Sequence, residues 1–261
     1  MKRKQFLAAL ITGGVVVLAL LLVLAINLIQ KNTPSKDHQE LTEYYGITND
    51  SQVAITLNDT VLNTYATKIN GHVYLDYKLV HDSLNPRFYW DTNENVLLYT
   101  TASKVISAKA DETRYYVGKS SNDYGRPIVK ATADSAWIDL EFVKEYSDFV
   151  YSLYESPSRV VITNEWKEVN VSTLKGKTEV RLEEDIKSPI LSEVKKGDKL
   201  TILESGKNWT KVSTADGIIG YVRSNKVKKT EAVTLTSEYE AETFHHIRSD
   251  ETINFLWNPS Q

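Results

Sequence analysis

Apolar residues fall into distinct patterns along the chain. Residues 6–29 form an unbroken apolar run in which only Thr12 and Asn27 are polar and nothing is charged. As a helix at about 1.5 Å per residue the run reaches roughly 36 Å, more than the roughly 30 Å of a bilayer's hydrocarbon core. A cleaved signal peptide has a shorter apolar region, about 7–15 residues, followed by small residues at its cleavage site. Here the exit reads Asn27-Leu28-Ile29-Gln30-Lys31. The pattern predicts a cytoplasmic basic tip and one uncleaved transmembrane anchor within residues 1–30. Lys2, Arg3 and Lys4 precede the run, so the positive-inside rule keeps the N-terminus in the cytoplasm and places the remainder outside.

After a polar spacer at residues 31–51, strand-type alternation begins. Val53, Ile55 and Leu57 alternate with smaller residues up to a turn at Asn58-Asp59, and Asn70-Gly71 precedes His72-Val73-Tyr74-Leu75. Asn-Gly between extended runs is the strongest short hairpin signal. Asp76 is placed to cap a short helix that carries Leu79 and Val80 inward. Strands resume at Phe88-Tyr89-Trp90 and Val96-Leu97-Leu98-Tyr99. The same order returns roughly 60 residues later, a period that marks repeated supersecondary units. Trp137-Ile138-Asp139 matches Tyr74-Leu75-Asp76, Phe142-Val143 matches Leu79-Val80, and Val160-Val161-Ile162-Thr163 matches Val96-Leu97-Leu98-Tyr99. Residues 52–165 are therefore expected to hold two copies of one α+β unit.

From residue 176 the strands are short and closely spaced: Thr178-Glu179-Val180-Arg181-Leu182, Ile190-Leu191-Ser192-Glu193-Val194, Trp209-Thr210-Lys211-Val212 and Gly220-Tyr221-Val222. Gly, Asn and Asp turns separate them, the signature of a small all-β barrel at residues 176–228. Residues 229–261 read as a polar linker ending in an apolar strand, Ile253-Asn254-Phe255-Leu256-Trp257, the start of a truncated or missing C-terminal domain. The expected fold class is thus mixed: one transmembrane helix, an α+β repeat unit, then an all-β barrel.

Composition narrows the chemistry. There is no cysteine, which excludes disulfides, thiolate metal sites and a cysteine nucleophile. The chain carries 31 Lys and Arg against 34 Asp and Glu, and the three basic residues before the apolar run leave the remainder more acidic still. Nucleic acid is not an expected partner. Glu183-Glu184-Asp185 reads as a solvated loop, because calcium needs 6–8 converging oxygens. His245-His246 lacks a third ligand, and adjacent strand residues point to opposite faces. No metal, cofactor or catalytic residue is expected. Trp209 and Tyr221 are the candidate ligand-binding residues, as large aromatics that either form an exposed groove or fill the barrel wall.

Three resemblances follow from these residues. Leu57-Asn58-Asp59, Asn70-Gly71-His72-Val73-Tyr74-Leu75 and Tyr89-Trp90-Asp91 resemble the copper amine oxidase N-terminal-like domain, which despite its name implies a non-catalytic extracytoplasmic module without copper. The barrel segment, with Arg181, Lys196-Gly197-Asp198, Asn208-Trp209, Asp216-Gly217 and Gly220-Tyr221-Val222, resembles the bacterial Src-homology-3 (SH3) domain. That resemblance implies binding to cell-wall peptides or to a neighbouring domain of the same chain. Ile253-Asn254-Phe255-Leu256-Trp257 is similar to the opening barrel strand of glycoside hydrolase family 18, although its Asp-x-x-Asp-x-Asp-x-Glu motif is absent. The expectation is a single-pass cell-membrane protein of a Gram-positive surface, its C-terminal portion extracellular. It would be a non-catalytic stalk that binds peptidoglycan or cell-wall glycan and positions a further domain. The alternative is the N-terminal part of a chitinase-like or peptidoglycan-active hydrolase whose catalytic barrel lies outside this chain.

Overall fold

Asn70 and Gly71 take positive φ, +51° and +86°, the backbone of a tight hairpin turn whose twist matches its strands. The turn joins β2 (Thr60–Ile69) to β3 (His72–Asp76), after β1 (Gln52–Leu57). The computed structural model describes residues 2–101, 103–227 and 230–237. Before these strands lie α1 (Lys2–Asn32) and the single turn α2 (Leu41–Tyr44).

The membrane expectation is overturned. Among the described residues no helix is long and apolar enough to cross a membrane. The described apolar side chains of α1, within residues 17–29, are exposed. The single-pass anchor and the cell-membrane localisation are corrected accordingly. The expected fold class is corrected with them, since the described residues are mostly β-sheet, with nineteen strands and few helices.

Asp76 ends β3 and its carboxylate accepts the Lys78 amide at 2.8 Å, starting α3 (Tyr77–Leu79), which runs on as a π-helical turn over Val80–Leu84. A five-stranded antiparallel sheet follows, built from β4 (Phe88–Asp91), β5 (Val96–Thr100), β6 (Val105–Lys109), β7 (Arg114–Val117) and β8 (Ser120–Asp123) in sequence order. The chain then returns through β9 (Val129–Ala131) and β10 (Ala136–Asp139). Asp139 caps α4 (Leu140–Glu145) as Asp76 caps α3, here accepting the Phe142 amide at 3.1 Å. Then come β11 (Val150–Tyr154) and β12 (Arg159–Thr163).

The seven-stranded sheet has the order β11-β12-β1-β2-β3-β10-β9. β3 and β10 lie antiparallel about the pair Leu75 and Ile138, so the two capping aspartates sit at opposite ends of adjacent strands. β1 pairs parallel with β12, which joins the first strand of the unit to its last. One apolar core fills the space between the sheets, with Ile55, Leu75, Ile138 and Ile162 from one and Phe88, Leu97 and Ile106 from the other; Phe142 and Phe149 wedge between them.

Polar groups inside this core are satisfied. Buried Asp139 accepts Arg126 Nε at 2.8 Å and the Tyr124 hydroxyl at 3.0 Å. Tyr74 donates to the Pro127 carbonyl at 2.7 Å, and burial pushes its phenol up to about 12 from an ordinary value near 10. Burial raises Tyr124 and Tyr146 in the same direction. A raised folded-state pKa stabilises the fold below the unfolded value and loses that stabilisation as pH climbs past it. The thermal unfolding midpoint is therefore expected to hold up to about pH 10 and to fall steeply between pH 10 and 12. A midpoint flat across that window would show that these phenols ionise without cost to the fold.

Candidate functional site

The other seven-stranded sheet has the order β15-β14-β18-β17-β16-β13-β19. Its strands are β13 (Glu168–Thr173), β14 (Thr178–Arg181), β15 (Ile190–Val194), β16 (Lys199–Ser205), β17 (Trp209–Thr214), β18 (Ile219–Arg223) and β19 (Thr230–Thr234). Closure depends on Gly220, where a Cβ would stand 2.5 Å from the Arg181 carbonyl oxygen. A side chain there would push β14 off β18. Leu174, Val180, Leu200, Val212, Val222 and Val227 form the core inside.

Strand alternation sorts β17 and β18 into two faces. Thr210, Val212 and Val222 are buried, whereas Trp209, Lys211 and Tyr221 are half-buried and face outward. Trp209 pairs with Arg223 and Lys211 with Tyr221, so the two aromatics are diagonal neighbours on one face. The Arg223 guanidinium stacks 4.3 Å from the Trp209 ring centroid, which fixes the indole on one side. The β16–β17 turn is held by the Ser224 hydroxyl donating to the Gly206 carbonyl at 2.8 Å and by the Ser224 amide donating to the Asn208 carbonyl at 3.0 Å. Gly206 is required there, because a Cβ would lie 2.4 Å from the Trp209 carbonyl oxygen.

Between this turn and the loop following β14 lies an open cleft of about 440 Å³, lined by Glu184, Glu204, Gly206, Lys207, Asn208, Trp209, Lys211 and Tyr221. The structure thus places both sequence-predicted residues, Trp209 and Tyr221, in the wall of one cleft on the outside of the barrel. Glu184 lines it too, whereas Asp185 turns to its own loop and accepts the Lys187 amide at 2.8 Å. Among the described residues no group of three or more His, Asp or Glu is placed to hold a metal ion. His245-His246 and residues 253–257 lie outside the described residues.

Two features of the barrel were hidden in the sequence. Residues 33–46, read as a spacer, run along it as a strap. Ser35 donates to the Ile186 carbonyl at 2.8 Å, Ile190 to Asp37 at 2.8 Å and Gln39 to Ile190 at 2.9 Å, so His38 bridges parallel to Ile190 at the sheet edge. Lys187 reaches the Gln30 and Thr33 carbonyls at the end of α1, where the exposed helix carbonyls attract a cation. Secondly, the turn at Asp216-Gly217 is buried against the α/β unit. Arg159, only 5% exposed, donates to the Asp216 carboxylate at 2.6 Å and to its carbonyl at 2.8 Å. The Gly217 carbonyl accepts from the hydroxyls of Tyr45 at 3.0 Å and Thr56 at 3.2 Å.

Comparison with known proteins finds that the bacterial SH3 domain family matches residues 176–228. No curated protein matches the chain.

Proposed function

We propose, from the bacterial SH3 domain at residues 176–228, that this chain is a non-catalytic binding protein whose barrel attaches to bacterial cell-wall peptidoglycan. The supporting observation is the cleft: two aromatic side chains held half-exposed on a rigid sheet, with polar and charged groups around them. Flat aromatic faces pack on a peptide stem or a sugar ring, while the polar rim orients the ligand. In this reading the α/β unit at residues 52–165 is a platform that fixes the direction of the barrel. Its resemblance to the copper amine oxidase N-terminal-like domain supports a role without chemistry of its own. The hydrolase reading rests on the order of the segments and on residues 253–257, which lie outside the described residues.

Co-sedimentation with purified sacculi tests the proposal. The parent protein is expected to pellet with the wall material, and a Trp209→Ala, Tyr221→Ala double variant to lose affinity roughly tenfold, the scale of losing a central aromatic pair. Circular dichroism establishes that the variant is folded. Undiminished binding by the folded variant would remove the cleft from the interaction, and absence of binding by the parent would overturn the function.

A further inference from the structure

The charges of the cleft are unspent. Glu184 and Glu204 stand beside Lys207 and Lys211 in its lining, and among the described residues none of the four makes a side-chain ion pair or hydrogen bond. Elsewhere in the same barrel comparable groups do pair: Lys177 meets Glu193 at 2.6 Å, and Arg181 meets Glu179. The contrast is sharpest at Glu204 and Lys211, which are register partners on adjacent strands and still remain apart. Opposite charges directly across an antiparallel pair ordinarily attract, but the ladder shifts register between Ile202 and Glu204. The shift leaves both groups available beside Trp209 and Tyr221.

Resting on the reading of this cleft as the binding site, we infer that it takes a zwitterionic peptide: a short chain with a free carboxylate and a free ammonium flanking a small apolar part. The lysines receive the carboxylate, the glutamates receive the ammonium, and the aromatic faces cover the middle. A cavity of about 440 Å³ lies within the roughly 300–1,000 Å³ of small-ligand sites. A neutral glycan would use the aromatic faces and leave all four charges desolvated without partners, which costs free energy. Charge complementarity of both signs therefore favours the peptide.

The test follows the Trp209 indole N–H by NMR in the full chain, titrated with trialanine and with three blocked forms: N-acetylated, C-amidated and doubly blocked. Free trialanine is expected to bind best, with each block costing roughly three- to tenfold, the scale of a pair of exposed charge contacts. A Glu184→Gln, Glu204→Gln variant should no longer distinguish the free from the acetylated amine, and Lys207→Gln, Lys211→Gln should no longer distinguish acid from amide. Both variants should keep the parent's thermal midpoint, since the four groups hold nothing else in place. Equal binding of the doubly blocked peptide, or a shift with chitotetraose and none with trialanine, would overturn the inference. If no trialanine form shifts the resonance while the protein still pellets with sacculi, the zwitterion reading fails and the wall-binding function survives. If trialanine binds as expected and sacculi do not, the reverse holds.

Discussion

A fragment of residues 176–228 alone is expected to show no cooperative unfolding transition, although it is the span that matches a known domain. Its sheet would lose β13, which pairs with β16, and β19, which pairs with β13. Its core would lose Leu174, 2% exposed. Its opposite edge would lose the strap, including the Ser35 carbonyl that receives the Arg181 guanidinium at 2.9 Å. Arg181 is 3% exposed, and a buried cation stripped of a partner is costly. Domains this small bury too little surface to absorb such losses. Differential scanning calorimetry of the fragment against residues 33–237 decides the matter. A fragment transition near that of the longer chain would make the barrel autonomous and the strap incidental.

The second large effect is expected where the barrel meets the α/β unit. Arg159→Ala should destabilise the protein by about 2–3 kcal/mol, since it removes a buried guanidinium whose donors satisfy several acceptors, while the Asp216 carboxylate left behind is 34% exposed and can be solvated. Besides Asp216, the guanidinium serves the carbonyls of Pro157 at 3.1 Å and Glu155 at 3.3 Å, and it stacks 5.1 Å from the Tyr154 ring centroid. Arg159→Lys keeps the charge but not the fork of donors, and should recover only part of the loss. Gly217→Val attacks the same contact by another route. Its φ is +81°, and a Cβ would stand 2.6 Å from a Val161 methyl and 3.1 Å from the Thr56 hydroxyl. Urea unfolding midpoints measure both variants. Parent-like stability for Arg159→Ala would show that the two units merely touch.

This contact also bears on function. A wall-binding barrel on a loose linker samples many directions, whereas one locked by Arg159, Tyr45 and Thr56 presents its cleft along a fixed one. Burial raises the phenol of Tyr45, as it does that of Tyr44, whose hydroxyl donates to the Ile219 carbonyl at 2.9 Å. Alkaline loss of stability therefore reaches the junction as well as the core of the α/β unit.

By itself the sequence determined the elements with strong local signals. Alternation placed β1, β17 and β18; Asn70-Gly71 marked the β2–β3 turn; Asp76 and Asp139 marked the two helix starts, because each signal acts within a few residues. Trp209 and Tyr221 were legible as the barrel's large aromatics, but whether they faced outward or filled its wall was not. The apolar run at residues 6–29 was equally plain as a pattern, yet among the described residues no helix is long and apolar enough to cross a membrane. Only the tertiary structure decided the rest. The strap is bound mainly through backbone groups, which every residue carries, so its polar side chains gave no warning. β13 and β19 are short and largely polar, and they become strands by pairing with distant partners. Glu204 and Lys211 came to flank the aromatics through a register shift that no local pattern encodes. Gly217 looked like an ordinary turn glycine until Arg159, 57 residues away in sequence from its neighbour Asp216, closed on that turn: long-range contacts are set by how sheets pack, and packing is a property of the whole chain.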